Sequence, residues 1–100
     1  MEKETFEQLY KNAITKKDLV SKSKVLYVVA EIYNKKLENS NIPFDKLHGA
    51  QRVLDNFIKA ILEGAIECNG SHIDSKTFIS TINRRYRLIT KIYGKGERRK

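Results

Sequence analysis

Apolar residues recur along this chain at steps of three and four, in four separate runs. The first run is Phe6, Leu9, Tyr10, Ala13 and Ile14, at i, i+3, i+4, i+7 and i+8. That spacing is one stripe of an amphipathic helix and predicts a helix over about 3–16, with a break near Lys17-Asp18. The second run, Val25, Leu26, Val28, Val29, Ile32, Tyr33 and Leu37, predicts a helix over about 19–38 that buries these side chains. Valines 25, 28 and 29 are β-branched, so a strand at Val25–Val29 competes. The spacing carried through to Leu37 favours helix. Asn39, Ser40 and Asn41 are turn formers, and Pro43 cannot continue a helix.

The third run is the widest: Leu47, Ala50, Val53, Leu54, Phe57, Ile58, Ile61, Leu62, Ala65 and Ile66. It predicts a central helix over about 43–69, with Pro43 in the first turn and Asn69-Gly70 as the stop. The fourth run is Phe78, Ile82, Tyr86, Ile89 and Tyr93, with a helix expected over about 74–93. Asp74 is a good N-cap, Ile73 and Phe78 are placed as a hydrophobic staple, and Gly94 is the stop. Four helices joined by short connections pack as antiparallel neighbours. The expected architecture is all-α: a single domain over 1–100, an antiparallel four-helix bundle with a basic, flexible C-terminal tail over 94–100.

Charge sharpens that picture at one end. The chain carries a formal net charge of +8. Its last stretch, "RRYRLITKIYGKGERRK" from Arg84 to Lys100, holds eight basic residues and one acid, Glu97. That stretch accounts for +7 of the total, so residues 1–83 are almost neutral. On a wheel of about 100° per residue, Arg84, Arg87 and Lys91 fall together opposite the apolar arc of the fourth helix, and Arg85 falls beside that arc. Cations near a helix C-terminus are favoured by the macrodipole, and Arg85 can snorkel from the core edge. Taken singly, each basic residue reads as solvated surface. As a cluster on a neutral body, they read equally well as a binding end.

Other chemistry is sparse. Cys68 is the only cysteine, so no internal disulfide forms, which fits a reducing compartment. Cys68 and His72 are four apart, but Gly70 lies between them and no further ligands are evident. His48 stands alone near the start of the third helix, and Asp45, Asp55, Glu63 and Glu67 are spaced as solvent-facing acids. No glycine-rich phosphate loop precedes a helix. No enzyme activity, cofactor, metal or small-molecule substrate is expected. The N-terminal stretch "MEKETFEQLYKNAITKK" has no apolar signal segment, and the longest apolar run is Val25–Ala30. A cytoplasmic location is therefore expected.

Most aromatic residues lie on the apolar stripes and read as core. Tyr27 is off its stripe, and Tyr93 stands beside the basic tail as a contact candidate. Three kinds of partner suit the basic end: nucleic acid, an anionic membrane surface, and the cytoplasmic face of a membrane protein. Against nucleic acid, a recognition helix reads bases with its N-terminal residues, and here that end is "DSKTFISTIN" with a single lysine. The late basic residues would reach phosphates only. A small basic nucleic-acid-binding regulator is the alternative reading.

Three stretches carry a family resemblance: "VLYVVAEIYNKKLENSNIPF", "LDNFIKAILEGAIECNGSHIDSKTFISTINRRY" and the basic C-terminal end. In layout the chain resembles the immunity proteins of pediocin-like (class IIa) bacteriocins, the enterocin A immunity group in particular. The resemblance implies a cytoplasmic four-helix bundle that protects a producer cell from a pore-forming bacteriocin. It implies action from the inner face of the membrane on the membrane-embedded mannose phosphotransferase permease with its bound bacteriocin. In that family the C-terminal half sets which toxins are resisted. Carried onto this chain, that implies partner binding by Arg84, Arg85, Arg87, Lys91, Tyr93, Lys95, Arg98, Arg99 and Lys100.

Overall fold

A computed structural model of the chain describes residues 5–66 and 73–94. Four helices follow one another: α1 (Phe6–Thr15), α2 (Leu19–Glu38), α3 (Phe44–Leu62) and α4 (Ser75–Tyr93). Among the described residues there is no strand, so the valine-rich segment of α2 is helical. Packing of an amphipathic face overrides the modest local cost of β-branched residues.

Three of the four starts are capped by side chains. Thr5 accepts the Gln8 N–H (3.1 Å), Asp18 accepts the Val20 N–H (3.2 Å), and Asp74 accepts the Thr77 N–H (2.8 Å). Each bond satisfies an N–H that the first turn leaves without a helical partner. The Ser21 hydroxyl also donates to Asp18 (2.7 Å). Together these hydrogen bonds hold the Asp18 carboxyl below its usual range, with Ser21 the largest cause. The break before α2 lies at Lys17, whose φ of 54° reverses the chain between α1 and α2.

α3 starts with Pro43 outside the helix as the capping residue, not within its first turn. It stops at Leu62, short of the expected 69. Gly64 takes a left-handed φ of 83°. Its N–H donates to the Ile61 carbonyl (3.0 Å), while the Ala65 N–H donates to Ala60 (2.9 Å). This is the Schellman pair of bonds, and it ends the helix although Ala65 and Ile66 continue the apolar pattern. The expected stop at Asn69-Gly70 lies outside the described residues.

Contacts between helices set their directions. Along α1 and α4, Tyr10 meets Ile73, Glu7 meets Ser75 and Phe6 meets Phe78, so these two run antiparallel. Along α2 and α4, Tyr33 meets Asn83 and Lys36 meets Tyr86, so that diagonal pair runs parallel. Along α3 and α4, Phe57 meets Arg85 and Gly49 lies by Tyr93, antiparallel again. The bundle is the up-down-up-down arrangement that short connections favour.

The core is built on rows spaced by four: Val25, Val29, Tyr33 and Leu37 on α2, and Ala50, Leu54, Ile58 and Leu62 on α3. Tyr10, Ala13 and Ile14 close one side, and Phe78, Ile82 and Ile89 the other. The expected faces of α2 and α3 were too wide. Val28 (39%), Ile32 (50%) and Val53 (38%) are exposed, as is Ala65, while Phe57 is only half-buried. A helix in a small bundle meets its neighbours along a narrow stripe, and residues at the stripe's edge stay wet.

Candidate functional site

α4 brings the candidate residues onto a frame that its own two ends hold in place. At its start, the Asp74 cap and the buried Ile73 and Phe78 fix the helix against α1. The Tyr10 hydroxyl donates to the Ile73 carbonyl (3.0 Å), and its ring lies 4.8 Å from that of Phe78. Burial, with the Asp74 charge adding to it, pushes the Tyr10 hydroxyl up to about 12. At mid-length, Tyr33 donates to Asn83 (2.5 Å), and Tyr86 donates to the Lys36 carbonyl (3.2 Å). At its end, Gly94 is buried under the α2–α3 turn. A Cβ there would come within 2.7 Å of both Asn41 Oδ1 and the Thr90 carbonyl.

With its inner face so fixed, α4 turns its basic residues outward. Arg84, Arg85, Arg87 and Lys91 line one open groove of about 530 Å³ beside α3, together with Phe57, Thr81 and Leu88. Arg84, Arg87 and Lys91 are exposed, and Arg85 is half-buried. The Arg85 guanidinium sits 4.3 Å from the centre of the Phe57 ring. That cation–π pair draws Arg85 onto α3 and fixes one wall of the groove. Leu88 remains 44% exposed between the cations.

Of the remaining expected contact residues, Tyr93 is the one described, and it falls elsewhere. Tyr93 is half-buried against the core and lies near Gly49 of α3, away from the groove lining. Lys95, Arg98, Arg99 and Lys100 lie outside the described residues, as do Cys68 and His72. Reading the sequence missed Leu88 and Phe57. Leu88 was within reach: four residues after Arg84 on a helix is a turn of only about 40°, inside the basic arc. Phe57 was not, because its place beside Arg85 depends on how α3 meets α4.

A second hollow, of about 490 Å³, lies along α3 between His48, Gln51, Arg52 and Asp55. Asp55 is not the plain solvent-facing acid its spacing suggests. Its Oδ1 is buried with no hydrogen-bond partner, and burial raises the carboxyl above its usual range. The hollow offers one carboxylate, one exposed imidazole and no nucleophile. Among the described residues no three His, Cys, Asp or Glu side chains group as a metal site. No described helix is long and apolar enough to cross a membrane. No protein-family model, curated protein or solved structure matches this chain.

Proposed function

We propose that this protein is a binding module that protects a bacterium from a pediocin-like, pore-forming bacteriocin. In this reading it has no catalytic role and needs no cofactor. It acts from the cytoplasmic side, where the outer face of α4 associates with the toxin-engaged mannose permease. The observation that carries the reading is the single-signed stripe of Arg84, Arg87 and Lys91, exposed on a body that is otherwise nearly neutral. The antiparallel four-helix layout is also what the family resemblance implies. An outward basic face suits a partner embedded in an anionic membrane, where each cation close to the surface contributes about 1 kcal/mol.

Protection by binding has a thermodynamic requirement. A ligand shifts a conformational equilibrium only by its difference in affinity for the two states. The module must therefore bind the toxin-engaged, closed permease more tightly than the leaking form. The test is a protection assay. The whole chain is expressed in a strain sensitive to pediocin-like bacteriocins, and a panel of those toxins is titrated. A selective rise in the lethal dose for some toxins is expected, and an unchanged dose for every one would overturn the reading.

A further inference from the structure

Four cations line the α3–α4 groove and no acid does. A surface of that kind repels its own sign and calls for an anionic occupant. The floor adds a second demand. Phe57 and Leu88 give it an apolar strip, and Leu88 keeps nearly half of its surface in water. An occupant that supplied only charge would leave that strip wet.

The spacing of the cations sets the occupant's shape. Arg84, Arg87 and Lys91 follow each other at i, i+3 and i+7 along α4, a span of about 10 Å at the helical rise. A second helix laid along the groove repeats that spacing, with carboxylates at i, i+3 and i+7 beside an apolar stripe. Two other anionic partners fit less well. The Phe57 ring already carries the Arg85 guanidinium at 4.3 Å, so that face is not free to stack a base. A bilayer surface presents its headgroups in no fixed order, whereas Arg84, Arg87 and Lys91 stand at i, i+3 and i+7 beside the Phe57–Leu88 strip.

We infer that the groove between α3 and α4 is the docking site for an acidic amphipathic helix of a protein partner, its apolar residues on Phe57 and Leu88 and its carboxylates on Arg84, Arg85, Arg87 and Lys91. This rests on the reading of the outer face of α4 as the partner-binding side, and it adds the chemistry of the segment recognised. The two apolar contacts give affinity at the centre, and the cations set orientation and salt dependence.

The test uses the full chain, isotope-labelled, and amide chemical-shift mapping. The probe is a synthetic helical peptide with leucines along one face and glutamates at i, i+3 and i+7 beside them. A second peptide has the same composition in an order that breaks the stripe. A short duplex DNA and phosphatidylglycerol vesicles are the other two arms. The patterned peptide is expected to bind saturably, with shifts centred on Phe57 and Arg84–Lys91. The shuffled one should bind at least about tenfold more weakly. Leu88→Ser and Arg84→Glu are both at exposed positions, and with helicity unchanged each should weaken binding at least about fivefold.

Equal binding of the two peptides, or none, would overturn the proposal. So would DNA or vesicles shifting the groove residues while the patterned peptide does not. Full binding by Leu88→Ser would remove the apolar floor from it. The protection assay is read separately. Peptide failure with protection intact removes only the proposed occupant. Peptide binding with no protection from any toxin removes only the immunity reading.

Discussion

The two halves of α4 differ although they share one helix. The first half, from Asp74 to Ile82, is tied down along its inner face. Its cap bonds Thr77, Phe78 stacks with Phe6 and packs tilted against Tyr10, and the Tyr10 hydroxyl reaches back to Ile73. In the second half Asn83, Ile89, Gly94 and the flanks of Tyr86 and Tyr93 face inward and Arg85 lies on Phe57, while Arg84, Arg87, Leu88, Lys91 and Ile92 face water. The aromatic anchor and the basic outer surface thus lie in different halves of the helix. The first half carries the aromatic anchor against α1, and Asn83, Tyr86 and Gly94 add the ties of the second half to α2 and the α2–α3 turn. The second half carries a charged, partly apolar surface whose composition the fold does not require.

That separation is open to attack by substitution. The largest effect on folding should come from Phe78→Ala, since the ring is fully buried among other aromatics. A loss of about 3–5 kcal/mol is expected by urea unfolding. A loss below about 1 kcal/mol would mean that the first half is not the anchor. Phe57→Ala should cost clearly less, about 1–2 kcal/mol, because that ring is half-buried and the Arg85 guanidinium lies against it at the edge of the core. If the two costs came out equal, Phe57 would belong to the core and not to the groove.

Tyr10→Phe tests the anchor by pH. Its hydroxyl is the donor to the Ile73 carbonyl, and removing it should cost about 1 kcal/mol at neutral pH. The folded pKa of about 12 lies above the ordinary tyrosine value of 10.0. The unfolded chain therefore loses its proton first as pH rises. The stability associated with this group is complete below pH 10 and is lost as pH climbs through about 12. Thermal melts of the wild type should fall faster over that window than those of Tyr10→Phe. Parallel slopes would show that the hydroxyl is not shielded.

The smallest effect on folding is expected where the effect on function is greatest. Arg84→Glu with Arg87→Glu alters two exposed side chains. It should change unfolding free energy by no more than about 0.5 kcal/mol, yet remove protection in the toxin titration. Protection retained by a folded double variant would break the assignment of the second half of α4 to the partner.

Much of the fold was legible in the sequence, for local reasons. The start of α4 follows from Asp74, Ile73 and Phe78, and its end from Gly94. The bounds of α2, Leu19–Glu38, agree with the run ending at Leu37 and the turn formers after it. The end of α3 was misplaced for a local reason too. Gly64 carried the signal, but Ala65 and Ile66 extended the apolar spacing past it, and the left-handed glycine prevails because its two hydrogen bonds close the helix.

Of the candidate surface, the sequence by itself determined the charge: where the cations stand, that they share one arc of α4, and that the body behind them is neutral. Helical periodicity and counting suffice for that, because both are properties of a single segment. Only the tertiary structure decided which apolar residues remain outside, which neighbour the basic arc faces, and that Tyr93 turns inward. Those depend on how α3 and α4 are rotated against each other. That rotation is set jointly by Phe78 against α1, Tyr33 on Asn83 and the turn over Gly94. The contacts come from segments far apart in the chain, and no single stretch contains them.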